Sequence, residues 1–217
     1  MLAKPGVVIA VLAWLLAGAG MLGGAWLLGG KPDLLAMVLV SQAAVALPVL
    51  LLLIPLRPRE LGLGLPSRKG ILAGAALGPV AIAMSMAILG AIVLLFGQPP
   101  NQQPVELVIG DLHQRFGLGG LLLCAAILPG LVEEALFRGV ILTGLRRHLS
   151  PAAAVLICAL LFAALHLSPW RFLPQLALGC LLGWLTLRTG SCWPAALAHA
   201  LHNGILLTVT QLAQHRP

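Results

Sequence analysis

Charged residues are scarce in this chain, and their scarcity restricts the kind of protein that it can be. Only 9% of its 217 residues are Asp, Glu, Lys or Arg, and 60% are hydrophobic. A soluble globular domain carries about 25% charged residues, because polar groups must cover its water-exposed surface. The composition therefore excludes a soluble globular domain and predicts an all-α fold, a polytopic bundle of transmembrane helices.

Acidic residues are scarcer than basic ones, with six Asp and Glu against 13 Lys and Arg. The net charge of +7 is not concentrated in a basic cluster interleaved with aromatic residues, which a nucleic-acid surface would need. The basic residues lie mostly between apolar runs, where they anchor loops at a membrane surface. The expected partner is therefore a lipid bilayer, and no nucleic acid is expected.

Cysteine is also rare, and its spacing excludes two kinds of structure. The four cysteines show no CxxC spacing, and three of them lie within apolar runs. We interpret them as small buried hydrophobic residues, so neither a disulfide framework nor a zinc knuckle is predicted.

Long apolar runs, by contrast, fill most of the chain. A transmembrane helix needs about 20 apolar residues, and seven segments approach or exceed that length. They are 6–29, 34–56, 70–96, 117–145, 150–167, 172–188 and 192–213. Seven helices are predicted, with six and eight as the alternatives. They form a single transmembrane domain over 1–217, made of N-terminal helices at 1–96 and a motif-bearing core at 117–213.

Two polar stretches separate these runs. Residues 57–69 predict a short interfacial turn, and the Pro- and Gln-rich residues 97–116 predict a loop lying over one face of the bundle. Glycines four apart, as at Gly70, Gly74 and Gly78, predict helix backbones that approach each other closely.

The basic residues also predict the orientation of the bundle. With a cytoplasmic N-terminus, eight of them fall on the cytoplasmic side and four on the other, in agreement with the positive-inside rule. The eight are Lys4, Arg57, Arg59, Arg68, Lys69, Arg146, Arg147 and Arg188, and the four are Lys31, Arg115, Arg171 and Arg216.

Few strongly polar residues lie inside the predicted spans. They are Glu133, Glu134, Arg138, His166, His199, His202 and Asn203. A charge at the bilayer centre costs roughly 2.5–3.5 kcal/mol on insertion scales, so such residues face the protein interior and indicate a functional site. At about 1.5 Å per helical residue, Glu133, His166 and His199 lie roughly 20, 24 and 16 Å from the same end of the bundle. We therefore expect them at a similar depth.

Spacing within one helix separates the two glutamates. Glu134 and Arg138 are four apart with the acid first, the favourable order for a helical ion pair, and we interpret them as a structural pair. Glu133 points about 100° away and has no cation in its own helix. It is either a protonated core carboxyl or, as we favour, a general base.

The last span carries a second group of polar residues. His199 and Asn203 are four apart and share one helix face. His202 lies about 60° from His199 and is assigned to packing.

Three motifs resemble those of a known family in order and spacing: Glu133-Glu134-x-x-x-Arg138, Phe162-x-x-x-His166 and His199-x-x-x-Asn203. The family is the CAAX-protease and bacteriocin-processing family (CPBP, or Abi) of intramembrane endopeptidases. The resemblance covers residues 133–203, and the three N-terminal helices match only in hydrophobicity.

The resemblance implies a helical membrane protein that hydrolyses peptide bonds in a water-filled cavity near the membrane surface. It implies that Glu133 and His166 activate the attacking water and that His199 and Asn203 stabilise the oxyanion. The supporting residues would be Glu134, Arg138 and Phe162. A base for water and donors for the developing negative charge are what peptide hydrolysis requires.

Metal dependence is left open by the motifs. Glu133, His166 and His199 could serve as three zinc ligands with an open fourth position, and members of the family are labelled metalloproteases. However, the chain lacks H-E-x-x-H, and each candidate ligand comes from a different helix. We favour a glutamate mechanism without a cofactor, with a divalent metal such as zinc as the alternative.

The substrate expected from the resemblance is a membrane-associated peptide or protein: a sorting tail, a leader or a CAAX-like end. The Ala-, Leu- and Gly-rich composition favours a prokaryotic chain in the inner (cytoplasmic) membrane. Two other functions compete with proteolysis: a small ion or metal transporter that uses the same polar residues, and a non-catalytic scaffold of the immunity type. A proton relay has little use for Asn203, which favours the protease.

Overall fold

The computed structural model describes residues 6–27, 33–98 and 103–214, and these ranges are helical and contain no strand. The helices are α1 (Val7–Leu27), α2 (Leu34–Leu53), α3 (Arg68–Phe96), α4 (Gln103–Leu122), α5 (Leu128–Glu134), α6 (Leu142–Leu145), α7 (Pro151–Leu165), α8 (Pro169–Thr189) and α9 (Trp193–Gln214). Two π-helical turns, Leu123–Ile127 and Ala135–Ile141, join α4, α5 and α6 into one continuous helical segment. The prediction of a helical bundle with seven helices is thereby confirmed.

Three helical segments are long and apolar enough to cross a membrane. They are α2, α3 and the segment Leu107–Leu145, which has 39 residues. Two shorter helices, Val7–Gly23 within α1 and Pro151–Leu165, are also apolar. Together they make the fold a membrane-spanning helical bundle.

The loop predicted over 97–116 is wrong from Gln103 onwards, because α4 begins there. The part of α4 before Gly117 is stabilised by Arg115, which donates a hydrogen bond of 2.9 Å to Asp33 at the start of α2. Within α4, Arg115 also pairs with Asp111 at 3.3 Å. The Arg115 guanidinium holds the pKa of the Asp33 carboxyl below its usual range. The helix is interrupted at Gly117, where φ is 65°.

The short turn predicted within 57–69 is confirmed as a 3₁₀ helix, Pro58–Leu61. It lies against the turn between α8 and α9, because the N–H of Cys192 donates to the carbonyl of Gly62 at 3.1 Å. It also meets α6, since a Cβ at Gly62 would lie 2.8 Å from Thr143 Oγ1. Three chain segments thus meet at one end of the bundle.

That end of the bundle holds most of the basic residues assigned to the cytoplasmic side. They are Arg57, Arg59, Arg68, Lys69, Arg146, Arg147 and Arg188. Arg115 and Arg171 lie toward the other end, while Lys4, Lys31 and Arg216 lie outside the described residues. The side of the membrane that each end faces stays a prediction.

The glycines of α3 let it pack closely on α9. A Cβ at Gly78 would lie 2.6 Å from Leu201 Cβ, and one at Gly74 would clash with the carbonyl of Pro194. The packing role predicted for this stripe is confirmed. Its consequence for the site is direct, because α9 carries the polar residues of the third motif.

Candidate active site

The site is built around the π-helical turn Ala135–Ile141, which follows Glu134 directly. All seven residues of the turn are buried. A π turn holds one more residue than an α-helical turn, and such turns are frequent at functional sites. Here the turn carries Arg138 and ends the helix that bears both glutamates.

Glu134 and Arg138 form the ion pair that their spacing predicted. Arg138 Nη1 donates to Glu134 Oε1 at 2.6 Å, and both side chains are 0% exposed. Arg138 Nη2 donates to the carbonyl of Gly179 in α8 at 3.1 Å, and its guanidinium lies 4.6 Å from the centre of the Phe162 ring. The pair therefore ties three helices together while each charge offsets the other.

His199 shares the same carboxylate. Its Nδ1–H donates to Glu134 Oε1 at 2.9 Å, and the residue is 2% exposed. A carboxylate oxygen only accepts, so Nδ1 carries the proton and Nε2 is left for chemistry. This contact, between residues 65 apart in the chain, was not predicted, because no spacing within one helix could indicate it.

His166 has the same arrangement with a different acceptor. It ends α7, and its Nδ1–H donates to the carbonyl of Phe162 at 2.9 Å. In the neutral ring Nε2 is then an acceptor. The Phe162 ring lies 4.7 Å from that of His166 and 5.8 Å from that of His199, measured between centroids. Phe162 thus holds both imidazoles from one buried position, which accounts for its place in the second motif.

Glu133 differs from its neighbour in having no fixed partner. It is half-buried and makes no hydrogen bond or ion pair with any described residue. Its charge acts on His166, so its carboxylate lies within electrostatic range of that ring. Of the two glutamates, Glu134 is held by fixed partners and Glu133 is not.

The spacing of Asn203 placed it on one helix face with His199, but its side chain forms hydrogen bonds with His202 and Ala125 instead. It accepts a 2.9 Å hydrogen bond from His202 Nδ1–H, and its Nδ2 donates to the carbonyl of Ala125 at 3.4 Å. His202 in turn accepts from the Ser85 hydroxyl in α3 at 3.1 Å. No hydrogen bond joins Asn203 to His199, one turn away. The contacts of His202 with α3 are those of a helix-joining residue, in agreement with its assignment to packing.

An open surface depression of about 470 Å³ lies where α7 turns into α8. It is lined by Ala163, Ala164, Leu167, Ser168, Pro169 and Phe172. Leu167 has a φ of 50°, and it is the only non-glycine residue in the described ranges whose φ is positive. Such a conformation costs of order 1–3 kcal/mol and is found mainly at functional sites. Nothing in the sequence pattern around Leu167 indicates a positive φ at this position.

The motifs left metal dependence open. Among the described residues no group of three or more His, Cys, Asp and Glu side chains is placed to hold an ion. His166 and His199 each use Nδ1 within the protein and present Nε2, an arrangement that a metal-binding histidine shares with a catalytic one.

Comparison with known proteins finds a family model that matches part of the chain. Residues 116–205 match the model described as Rce1-like, type II CAAX prenyl endopeptidase Rce1-like. The match covers less than half of the chain and contains all three motifs. No curated protein and no solved structure shows a significant match to the chain.

Proposed function

We propose that this chain, whose residues 116–205 match the Rce1-like CAAX-protease family model, is an intramembrane endopeptidase acting on a membrane-associated peptide or protein. The observation that carries the proposal is that Glu133, which has no fixed partner among the described residues, exerts its charge on His166, whose Nδ1 is engaged and whose Nε2 is an acceptor. A free carboxylate beside an oriented imidazole is a base for activating water.

In the proposed reaction Glu133 removes a proton from water as the water oxygen attacks the carbonyl carbon of the scissile peptide. His166 Nε2 accepts a hydrogen bond from the same water and so orients it. When the C–N bond breaks, Glu133 returns its proton to the departing amine nitrogen. General acid–base catalysis of this kind contributes about 10²–10⁴-fold in rate.

The oxyanion would be stabilised by His199 and Asn203. Glu134 holds the His199 ring through Nδ1–H, so Nε2 is the nitrogen directed to the reaction, and it would stabilise the developing charge as a donor once it has taken up a proton. The Asn203 amide now donates to Ala125 at 3.4 Å, a long hydrogen bond that an oxyanion can displace. Arg138 and Phe162 support this arrangement by holding Glu134 and the two rings.

For the cellular setting, we propose the cytoplasmic membrane of a prokaryote with the N-terminus in the cytoplasm. The substrate would be a sorting tail, a leader or a CAAX-like end. A glutamate mechanism is favoured over a metal-dependent one, since the chain lacks H-E-x-x-H, each candidate ligand comes from a different helix and the described residues contain no cluster of three ligands.

The test is cleavage of a membrane-tethered peptide library by the purified protein in detergent, followed by mass spectrometry. Glu133→Gln should reduce cleavage at least about 10²-fold, because the amide cannot take up the proton. Glu60→Gln is the matched control: it makes the same change in the 3₁₀ turn, and cleavage should stay at the wild-type level. A chelator should leave the wild-type rate unchanged.

Each part of the proposal has an outcome that contradicts it. If the Glu133→Gln variant cleaves the peptides at the wild-type rate, Glu133 is not the general base. Loss of activity on chelation, with recovery on adding zinc, would overturn the glutamate mechanism. A correctly folded wild type that cleaves nothing, together with ion flux in liposomes, would favour the transporter.

A further inference from the structure

Gln175 carries a buried acceptor that no described protein group satisfies. Its Oε1 atom is buried within α8 and accepts no hydrogen bond from any described residue. Buried amide oxygens in proteins are almost always hydrogen-bonded, and an unpaired one lowers stability. Gln175 has no part in the three motifs, so neither they nor the ion pair explains why a polar residue stands there.

The packing of α8 places Gln175 at the edge of the site. Gly179, one turn further along, lies so close to α7 that a Cβ there would stand 2.8 Å from Ala159 Cβ. Its carbonyl accepts the hydrogen bond from Arg138. Residues four apart share a helix face, so Gln175 lies on the face of α8 that meets α7 and Arg138.

One turn in the other direction on the same face is Arg171, whose charge acts on His166. Gln175 therefore stands between the residue that contacts the ion pair and a residue whose charge acts on His166. Helical side chains lean toward the N-terminus of their helix, so the Gln175 amide leans toward the level of His166.

We infer that Gln175 is a substrate-positioning residue, whose Oε1 accepts a hydrogen bond from a main-chain N–H of the peptide beside the scissile bond. The inference rests on the proposed function and deepens it, since it requires a substrate bound as an extended peptide. An extended strand that enters an apolar bundle carries N–H groups without partners, and each is costly until an acceptor meets it. Gln175 supplies one such acceptor in advance.

Gln175→Met tests the inference, because methionine keeps the length of the side chain and removes the acceptor. KM should rise about 3- to 10-fold, the loss of one hydrogen bond. The turnover number should change little, since this bond is made equally in the bound substrate and in the transition state. Thermal stability should not fall, because an apolar group replaces an unpaired polar one.

The same hydrogen bond can be removed from the substrate. In the cleaved peptide, amide groups flanking the scissile bond are replaced one at a time by esters, which lack the N–H. At one position the ester should raise the KM of the wild type by about 3- to 10-fold, as Gln175→Met does, and it should leave the KM of Gln175→Met unchanged. A residue with a purely structural role would show no such coupling.

Leu173→Met is the control, since it places methionine on the exposed surface of α8, where Leu173 is 51% exposed. Its kinetics should match the wild type. An unchanged KM in Gln175→Met, or ester effects that are equal in both proteins at every position, would overturn this inference and leave the proposed function standing. A wild type that cleaves no peptide would overturn both.

Discussion

Glu133 and Glu134 are chain neighbours with opposite situations. Glu134 is fully buried and shares Oε1 between Arg138 and His199. Glu133 is half-buried and has no fixed partner among the described residues. One residue of helical rotation, about 100°, is enough to separate them. It directs one carboxylate into the packed interior and leaves the other beside His166.

This contrast predicts different effects on stability. Glu134→Gln removes the counter-ion of a buried guanidinium and should lower the free energy of unfolding by about 3–5 kcal/mol. Glu133→Gln should change it by less than about 1 kcal/mol, since no ion pair is lost. Thermal denaturation of both variants in the same detergent measures the difference.

The double variant Glu134→Gln/Arg138→Met is the control for this prediction. Removing both charges should recover part of the lost stability, because no uncompensated charge remains buried. Activity should stay low, since His199 has lost its acceptor carboxylate. Equal melting temperatures for Glu133→Gln and Glu134→Gln would show that the buried pair does not stabilise the fold.

At the scale of elements, two π turns shape the same long segment. Leu123–Ile127 contributes the Ala125 carbonyl that Asn203 meets, and Ala135–Ile141 separates Glu134, the last residue of α5, from α6. Each turn inserts a residue into the helical repeat, so side chains beyond it are rotated relative to a regular helix. The two turns thus lie next to the polar residues of the site.

Because α3 packs closely on α9 at Gly74 but not at Gly90, alanine substitutions at these two glycines should have different effects. Gly74→Ala should lower the free energy of unfolding by about 1–3 kcal/mol, because the new methyl group meets the Pro194 carbonyl and the backbones must separate. It should also lower activity, since His199 lies on the displaced helix. Thermal unfolding and peptide cleavage report the two effects.

Gly90→Ala is the matched control in the same helix, because nothing lies within 4 Å of a Cβ at that position. It should leave stability and cleavage at wild-type levels. If both alanine variants have the same stability and activity, close contact with α9 is not the reason why position 74 requires glycine.

For the whole molecule, the division of basic residues between the two ends predicts the orientation. Leu65 and Gln98 are exposed and flank α3, so they should lie on opposite sides of the membrane. With Leu65→Cys, a membrane-impermeant maleimide should label the protein from the cytoplasmic side. With Gln98→Cys, it should label the protein from the other side.

Intact cells and inside-out vesicles give the two sides of this experiment, with the wild type and its four native cysteines as background. Reversed labelling would contradict the cytoplasmic N-terminus. Labelling of both positions from one side would contradict α3 as a membrane span.

The sequence by itself determined the properties that depend on local composition and on helical repeat. Hydropathy over about 20 residues located the helices, and spacing of four residues located the Glu134–Arg138 pair and the glycine stripe of α3. These follow from residues close together in the chain. The prediction failed for residues 103–116 of α4, whose polar composition resembles a loop and whose Arg115 pairs with Asp33, the N-cap of α2.

Only the tertiary structure decided how the polar residues are connected. The bond from His199 to Glu134 and that from Ser85 to His202 join residues 65 and 117 apart. The unpaired oxygen of Gln175 likewise became visible only once α8 was packed. Such contacts depend on the distance and rotation between helices, which the hydrophobic pattern of a single helix does not contain.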